Sequence, residues 1–403
     1  MLLFLGSGIS LNSGLPGVED ITKQLLEGSY FRDLDHRGTY YEVDDIDGRN
    51  VESVDDIQKF LQILKFKDKH YLETIAPYYS GSEYCYTGSI DRKETSYENL
   101  FYLSDQIRQS GVGLTDNAMT GAFVDLIEKE AKHLLSGETR VQRLISLYHL
   151  SSIASNFVEW MIAKSLHPEN EIEGLDLIVE LAKNAGTDAN RLDIITLNHD
   201  TLVEQMLAKN RIPFVDGFGP LDGNIRWYDD ALYDSSDARV RIFKPHGSVD
   251  WFNVRRSTYP AIVVGSNPQL CRTASGQEVK IDTKKPVFLS GGNKELAYNK
   301  GIFSETLFRF HQVLREHQFM VMSGYGWGDT AVNFRLMHWL EYGPSNRLML
   351  LHQAPEDVRD RCMTLAAMYR SLVEKKRLIL TEKWLSHTTY DEVRSVALEK
   401  VDN

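Results

Sequence analysis

From residue 190 onward, short apolar segments alternate with helical segments, and this alternation limits the fold of the 403-residue chain most strongly. The apolar segments are residues 194–197, 240–243, 286–290, 319–323, 347–351 and 377–380. Helical patterns follow several of them, for example at residues 201–208 and 330–341. Strands that alternate with helices favour a mostly parallel sheet with helices on both faces. We therefore predict an α/β, Rossmann-like fold.

The N-terminus shows the same order of strand, loop and helix. Residues 2–5 are apolar, the glycine-rich segment Gly6–Pro16 follows, and residues 20–27 have a helical pattern. In this order, backbone amides and the helix N-terminus can bind a phosphate group. Leu11 stands where the usual G-x-G-x-x-G pattern has its third glycine, so the pattern is incomplete. A glycine-rich turn without a ligand is the alternative interpretation.

The segment between these two regions differs, because its apolar residues have helical rather than strand spacing. Two sets have the spacing i, i+3, i+4 and i+7: Ile57, Phe60, Leu61 and Leu64, and Val141, Leu144, Ile145 and Tyr148. We predict a helical insertion at residues 30–189 within a domain formed by residues 1–29 and 190–385, with a C-terminal tail at 386–403. Tyrosines are frequent in the insertion: Tyr71, Tyr78, Tyr79, Tyr84, Tyr86, Tyr97 and Tyr102. They belong either to an aromatic core or to an oligomer or partner surface, where tyrosine is enriched.

Composition limits the compartment and the partners. The net charge of −12 argues against direct binding of nucleic acid. There is no apolar run of about 18 residues, which predicts that no helix spans a membrane. The first five residues are too short for a signal peptide and have no basic residue before them. The three cysteines form no C-x-x-C pair, so we expect a cytoplasmic protein without a cysteine zinc site.

Polar residues follow two of the predicted strands. Asn198 and Asp200 come directly after residues 194–197, and His246 comes after residues 240–243. Ligands of open α/β sheets bind at the carboxyl ends of strands, and the pKa of histidine lies near neutrality, which suits proton transfer. The alternatives are that Asn198 and Asp200 cap a helix and that His246 forms hydrogen bonds within a loop.

A second glycine-rich turn, residues 324–329, follows the predicted strand 319–323 and precedes the predicted helix 330–341. It is a further candidate for nucleotide binding, with the alternative that Asp329 caps the helix.

The four motifs, in this order, resemble the sirtuin family. The resemblance covers residues 1–28 and about 190–335, and the Gly6–Pro16 segment matches the family pattern over nearly its whole length. Residues 244–251 and 324–329 resemble the divergent bacterial branch, many members of which deplete NAD in anti-phage defence.

The resemblance implies a role for each motif. It implies NAD binding by Gly6, Ser7, Gly8, Ile9, Ser10, Ser13, Gly14, Pro16, Gly324, Tyr325, Asp329 and Asn333. It implies that Asn198 holds the ribose or a water near the bond to be cleaved. Asp200 would fix the nicotinamide pocket, and His246 would contact the ribose hydroxyls and act as a base.

Two departures from the family favour hydrolysis of NAD over deacylation. Residues Gly17–Asp20 replace the Asp-Phe-Arg sequence of the deacetylases, and their four-cysteine zinc module is missing from the sequence. We therefore expect an NAD hydrolase that gives nicotinamide and ADP-ribose. Homo-oligomerisation and a HerA-type ATPase partner are the expected means of control. The alternatives are an NAD-dependent protein deacylase, an ADP-ribosyl transferase, and a non-catalytic module that senses NAD or ADP-ribose.

Overall fold

The structure is a computed structural model with fifteen strands and thirteen α-helices in its described residues. It describes residues 1–34, 40–42, 51–79, 94–114, 117–166, 171–186, 191–234, 239–264, 271–291, 294–359 and 361–399. The strands are β1 (Leu2–Leu5), β2 (Tyr30–Asp33), β3 (Tyr40–Glu42), β4 (Val51–Ser53), β5 (Leu192–Thr196), β6 (Ile225–Trp227), β7 (Val240–Phe243), β8 (Gly247–Val254), β9 (Pro260–Val263), β10 (Cys271–Arg272), β11 (Glu278–Val279), β12 (Ile281–Phe288), β13 (Phe319–Ser323), β14 (Arg347–Leu351) and β15 (Leu378–Thr381). The α-helices are α1 (Val18–Glu27), α2 (Asp55–Tyr79), α3 (Tyr97–Gly111), α4 (Ala118–Glu130), α5 (Arg140–Ser165), α6 (Asp176–Lys183), α7 (Leu202–Lys209), α8 (Lys294–Ala297), α9 (Gly301–Glu316), α10 (Thr330–Tyr342), α11 (Pro355–Arg359), α12 (Met363–Glu374) and α13 (Tyr390–Leu398).

The centre of the fold is a six-stranded parallel sheet with the order β15-β14-β13-β1-β5-β7. Its strands are mainly apolar on both faces because helices cover both. Leu2 and Phe4 of β1 pack in one cluster with side chains of α9, α10 and α12. Leu3 and Leu5 pack in another with side chains of α6, α7 and α13. The predicted α/β, Rossmann-like fold is confirmed.

The N-terminal strand lies in the middle of this sheet and sets the position of the ligand crevice. β1 pairs with β5 on one side and with β13 on the other. The chain adds β5 and β7 in one direction and only later adds β13, β14 and β15 in the other. Such a reversal of strand order leaves a crevice at the carboxyl ends of the two diverging strands. The first glycine-rich loop begins at this point.

One predicted strand belongs to a different sheet. Residues 286–290 overlap β12, which pairs antiparallel with β8 in a four-stranded sheet of order β12-β8-β9-β6. The prediction that this segment joins the parallel sheet is wrong. In the described residues, no crossover helix lies between β8 and β12, and strands joined without one pair antiparallel.

The predicted helical insertion contains α2 to α5, which share an apolar cluster with α1 and with Phe288 of β12. The predicted face from Ile57 to Leu64 is buried. The second predicted face is buried only in part: Leu144 and Tyr148 pack against the cluster, whereas Val141 and Ile145 are 67% and 63% exposed. The reason is that α5 begins beyond the packed cluster and buries its side chains only from Leu147 onward.

The ranges predicted for the insertion and the tail also contain a small sheet and helices that pack on the parallel sheet. The short strands β2, β3 and β4 form an antiparallel sheet inside the insertion, and α6 packs on the parallel sheet. In the predicted tail, α13 also packs on that sheet through Val393. The limits themselves stay a prediction. No helix of the described ranges is long and apolar enough to span a membrane.

Three of the predicted tyrosine positions can be assigned. Tyr97 is buried, Tyr102 is half-buried and Tyr71 is 61% exposed. Tyr84 and Tyr86, and the side chains of Tyr78 and Tyr79, lie outside the described residues.

Candidate active site

A cavity of about 410 Å³ lies at the carboxyl ends of β1, β5, β7 and β13. The predicted site residues that line it are Gly6, Ser7, Gly8, Pro16, Asn198, Asp200, His246, Gly324, Tyr325 and Asp329. The predicted residues that are not part of its lining are Ile9, Ser10, Ser13, Gly14 and Asn333. The fold thus brings all four sequence motifs to one cavity.

The two glycine-rich segments pack directly against each other. The Gly6 N–H donates to the Ser323 carbonyl at 3.0 Å, and the Gly8 N–H donates to the Gly324 carbonyl at 3.0 Å. A Cβ atom on Gly6 would lie 2.5 Å from the Gly324 oxygen, and one on Gly8 would lie 2.9 Å from the Gly324 Cα. Gly324 also has a φ of +71°. Glycine is therefore required at these positions for contact between two backbones.

We expect Gly6→Ala to lower the free energy of unfolding by about 1–3 kcal/mol, because the added methyl group forces the two loops apart. Urea denaturation measures the change. The matched control is Gly121→Ala, because a Cβ on Gly121 in α4 meets no atom within 4 Å. That variant should unfold at the same or a higher urea concentration, since alanine favours a helix. An unchanged midpoint for Gly6→Ala would contradict the packing argument.

Ser10 connects the first motif to the second, although it does not line the cavity. The Ser10 hydroxyl donates to Asp200 Oδ2 at 2.8 Å and accepts from Asn198 Nδ2 at 3.0 Å. Asp200 Oδ1 also accepts from the Leu202 N–H at 3.1 Å, at the start of α7. Asp200 therefore has the helix-capping contact of the alternative interpretation and also lies in the cavity wall.

Asn198 has a buried oxygen that faces no protein donor. Its Nδ2 is occupied by Ser10, and its Oδ1 has no hydrogen-bond partner among the described residues. A buried acceptor without a partner costs about 1–3 kcal/mol. Because Asn198 lines the cavity, a hydroxyl group of a ligand or a water is the fitting donor.

His246 is buried beside a carboxylate and a phenol. Its Nε2 lies 2.6 Å from the Tyr298 hydroxyl and 3.1 Å from Asp329 Oδ2. Tyr298 also donates to Asp329 Oδ2 at 3.2 Å. An ionised carboxylate only accepts, so this arrangement favours the tautomer with the proton on Nε2. Nδ1 is then the nitrogen that can accept a proton.

Charge and burial set the protonation of this group. Burial, followed by the nearby Lys294 ammonium, lowers the pKa of His246, so the imidazole is neutral at pH 7. Burial alone would raise the pKa of Asp329, but the hydrogen bond with His246 holds that pKa below its ordinary value. The cavity therefore contains a neutral imidazole that is oriented by an ionised carboxylate.

Comparison with known proteins finds a similarity to one family over the second half of the chain. Residues 193–378 match the family model of the SIR2-like domain. The match supports a sirtuin-like family and indicates NAD-related chemistry. Among curated proteins, no match is found.

The SIR2-like match includes three of the four motifs. The match begins at Asp193 and so excludes the Gly6–Pro16 segment. That segment follows β1, and β1 pairs with β5 and β13 of the matched region. Within the part of the chain that the structure describes, no group of three or more His, Cys, Asp and Glu side chains is placed to hold a metal ion.

Sequence reasoning missed several residues in and around the cavity. Tyr298 contacts His246 but lies in a segment without a recognisable motif. His199 lies between Asn198 and Asp200 and lines the cavity, and its buried Nδ1 has no partner among the described residues. Burial, and then the proximity of His246, lowers the pKa of His199 well below its ordinary value.

Lys244, two residues before His246, forms hydrogen bonds with the segment that contains Asn198 and Asp200. Its buried ammonium donates to the Asp200 carbonyl and, at 2.9 Å, to Glu204 Oε1. The sequence could have indicated a role for Lys244, because it precedes His246 by two residues. Lys294 and Glu98 also line the cavity, and no pattern in the sequence marks either of them.

Proposed function

We propose that the protein is an NAD hydrolase that breaks the bond between nicotinamide and ribose and releases nicotinamide and ADP-ribose. One observation carries the proposal: the Asn198 Oδ1 acceptor and the neutral His246 line the same cavity, between two glycine-rich loops of a SIR2-like domain. A module that only binds a nucleotide does not need both groups.

The reaction needs orientation more than acid catalysis. When the bond breaks, its electron pair goes to the ring nitrogen of nicotinamide, which leaves as a neutral molecule, and positive charge develops on the ribose. Asn198 Oδ1 accepts a hydrogen bond from a ribose hydroxyl or from the attacking water. The water oxygen forms the new bond to the ribose carbon, and His246 takes the proton that this water loses. Orientation of this kind can supply several kcal/mol of the barrier.

Asp329 and Tyr298 act through His246. Both groups lie at its Nε2, so they fix the ring and keep Nδ1 available as the acceptor. Asp329 also accepts the Val332 N–H at 2.9 Å at the start of α10. Asp329 thereby connects His246 to the second glycine-rich turn, which also lines the cavity.

The biological role that we propose is depletion of NAD in anti-phage defence. Its support is the resemblance of residues 244–251 and 324–329 to the divergent bacterial sirtuins. A hydrolase that is always active would exhaust cellular NAD, so the activity requires control, and we propose that oligomerisation or a HerA-type ATPase provides it. If the chain purified as an active, unregulated monomer, this part of the proposal would be wrong.

The test is incubation of the purified chain with NAD, alone and with the ATPase, followed by chromatography. We expect nicotinamide and ADP-ribose in equal amounts. Turnover that depends on an acylated peptide would instead identify a deacylase, and ADP-ribose attached to protein would identify a transferase. Tight NAD binding without release under both conditions would replace the hydrolase by a sensing module.

A further inference from the structure

The charges of the cavity wall are mismatched to a dinucleotide. Among the described lining residues, the only lysine or arginine is Lys294, whereas three carboxylates are present: Glu98, Asp200 and Asp329. A dinucleotide carries a negative diphosphate. Backbone amides of the glycine-rich loops can bind phosphate oxygens, but one side-chain cation has to offset three nearby anions.

Among the described residues, Lys294 has one ion pair, and it is a long one. Its side chain is 13% exposed, and its only ion pair among the described residues is with Glu98, with Nζ and Oε1 3.6 Å apart. That separation is beyond the normal length of a hydrogen bond, and an ammonium has three donors. A largely buried cation with one distant partner among the described residues therefore lines the cavity.

Glu98 comes from a different part of the fold. It lies in the first turn of α3, in the helical insertion, whereas Lys294 begins α8, after β12 of the four-stranded sheet. The neighbouring Tyr97 N–H donates to the Thr22 hydroxyl of α1 at 3.0 Å, which fixes the start of α3 against the nucleotide-binding part. Glu98 itself is 40% exposed, so it can turn toward solvent without a large desolvation change.

We propose that Lys294 binds the diphosphate of the ligand and that Glu98 competes for the same ammonium. The inference rests on the proposed function, because it requires a dinucleotide in this cavity. Phosphate binding breaks the Lys294–Glu98 pair, so the start of α3 responds to occupancy of the cavity. Through Glu98, the insertion therefore weakens binding of the dinucleotide, and its helix α3 changes its contacts when the dinucleotide binds.

The experiment is isothermal titration calorimetry with ADP-ribose, which has the diphosphate and no nicotinamide bond to cleave. Lys294→Gln should weaken binding about 10-fold or more, because a charge-assisted contact is lost. Glu98→Gln should strengthen binding about 2- to 5-fold, which is the range of a partly exposed ion pair. Adenosine lacks phosphate, and its affinity should be the same for both variants and the wild type.

The matched control is an ion pair that joins the insertion to the four-stranded sheet. Lys285 of β12 and Glu159 of α5 are 2.7 Å apart, and neither lines the cavity. Lys285→Gln and Glu159→Gln remove the same charges from a comparable junction. Both should bind ADP-ribose with the affinity of the wild type.

The outcomes separate the inference from the proposed function. If the wild type binds ADP-ribose and Lys294→Gln binds it equally well, Lys294 does not bind the diphosphate, while the proposed function stands. The inference also fails if Lys294→Gln weakens ADP-ribose and adenosine to the same extent, or if Glu98→Gln weakens ADP-ribose. If the wild type binds neither ADP-ribose nor NAD, the proposed function and the inference fail together.

Discussion

Asn198→Ala and His246→Ala should each slow nicotinamide release from NAD by about 10²–10⁴-fold without unfolding the protein. Asn198→Ala removes the Oδ1 acceptor that orients the ribose or the water. His246→Ala removes the proton acceptor. Initial rates over a range of NAD concentrations measure the loss, and thermal unfolding shows whether each variant is folded.

Matched substitutions separate this effect from general damage. Asn210→Ala changes an asparagine at the end of α7 that does not line the cavity, and His133→Ala changes an exposed histidine. Both should retain the wild-type rate. Substantial turnover by a folded Asn198→Ala or His246→Ala variant would remove that residue from the mechanism.

The pH profile tests the role of His246 independently. Because burial and Lys294 lower its pKa below the ordinary value of about 6.5, His246 is neutral at pH 7 and the rate should fall only in more acidic solution. Tyr298→Phe removes a hydrogen-bond partner at Nε2, so it should displace this acidic limb. A rate that falls already between pH 8 and pH 7 would contradict a neutral imidazole base.

The parallel sheet was predictable because strands buried on both faces read as continuous apolar segments. Residues 194–197 and 319–323 show this pattern, and each is followed by polar or glycine residues of the cavity. Residues 286–290 are also largely apolar, yet their first three residues pair in the antiparallel sheet. Apolar composition indicates that a strand is buried, but the connections around it determine its partner.

The centre of the site was predictable and its periphery was not. Asn198 and His246 follow strands directly, so local order placed them at one edge of the sheet. Packing that no short sequence pattern encodes brings Glu98 from the insertion, and Lys294 and Tyr298 from the segment after β12. Ile145 shows the same limit, since helical spacing does not reveal whether another element covers a face.

A buried ion cluster predicts the largest effect on stability. Arg241 of β7 donates through Nε and Nη2 to the two carboxylate oxygens of Asp193 of β5, each at 2.7 Å, and His317 Nε2 lies 2.6 Å from Asp193 Oδ2. Asp193 is fully buried. Asp193→Asn leaves the Arg241 guanidinium without its buried anion, which should lower the free energy of unfolding by about 3–5 kcal/mol.

A more exposed partner of the same arginine provides the control. Glu316 accepts from Arg241 Nη2 at 2.7 Å, and its side chain is 42% exposed. Glu316→Gln should therefore change stability by no more than about 1 kcal/mol. Urea denaturation at pH 7 measures both variants, and equal destabilisation by the two would mean that burial of the carboxylate is not the cause.

The pH dependence of this difference identifies its origin. Burial alone would raise the pKa of Asp193, but the hydrogen bonds from Arg241 and His317 outweigh it and lower that pKa below its ordinary value. The unfolded chain, with an aspartate pKa of about 3.9, therefore binds the proton first as the pH falls. The contribution of Asp193 is complete above that pKa and is lost as the pH falls toward the folded pKa. The stability gap between wild type and Asp193→Asn should shrink below about pH 4, whereas a gap that is unchanged in acid would show that packing, not charge, causes it.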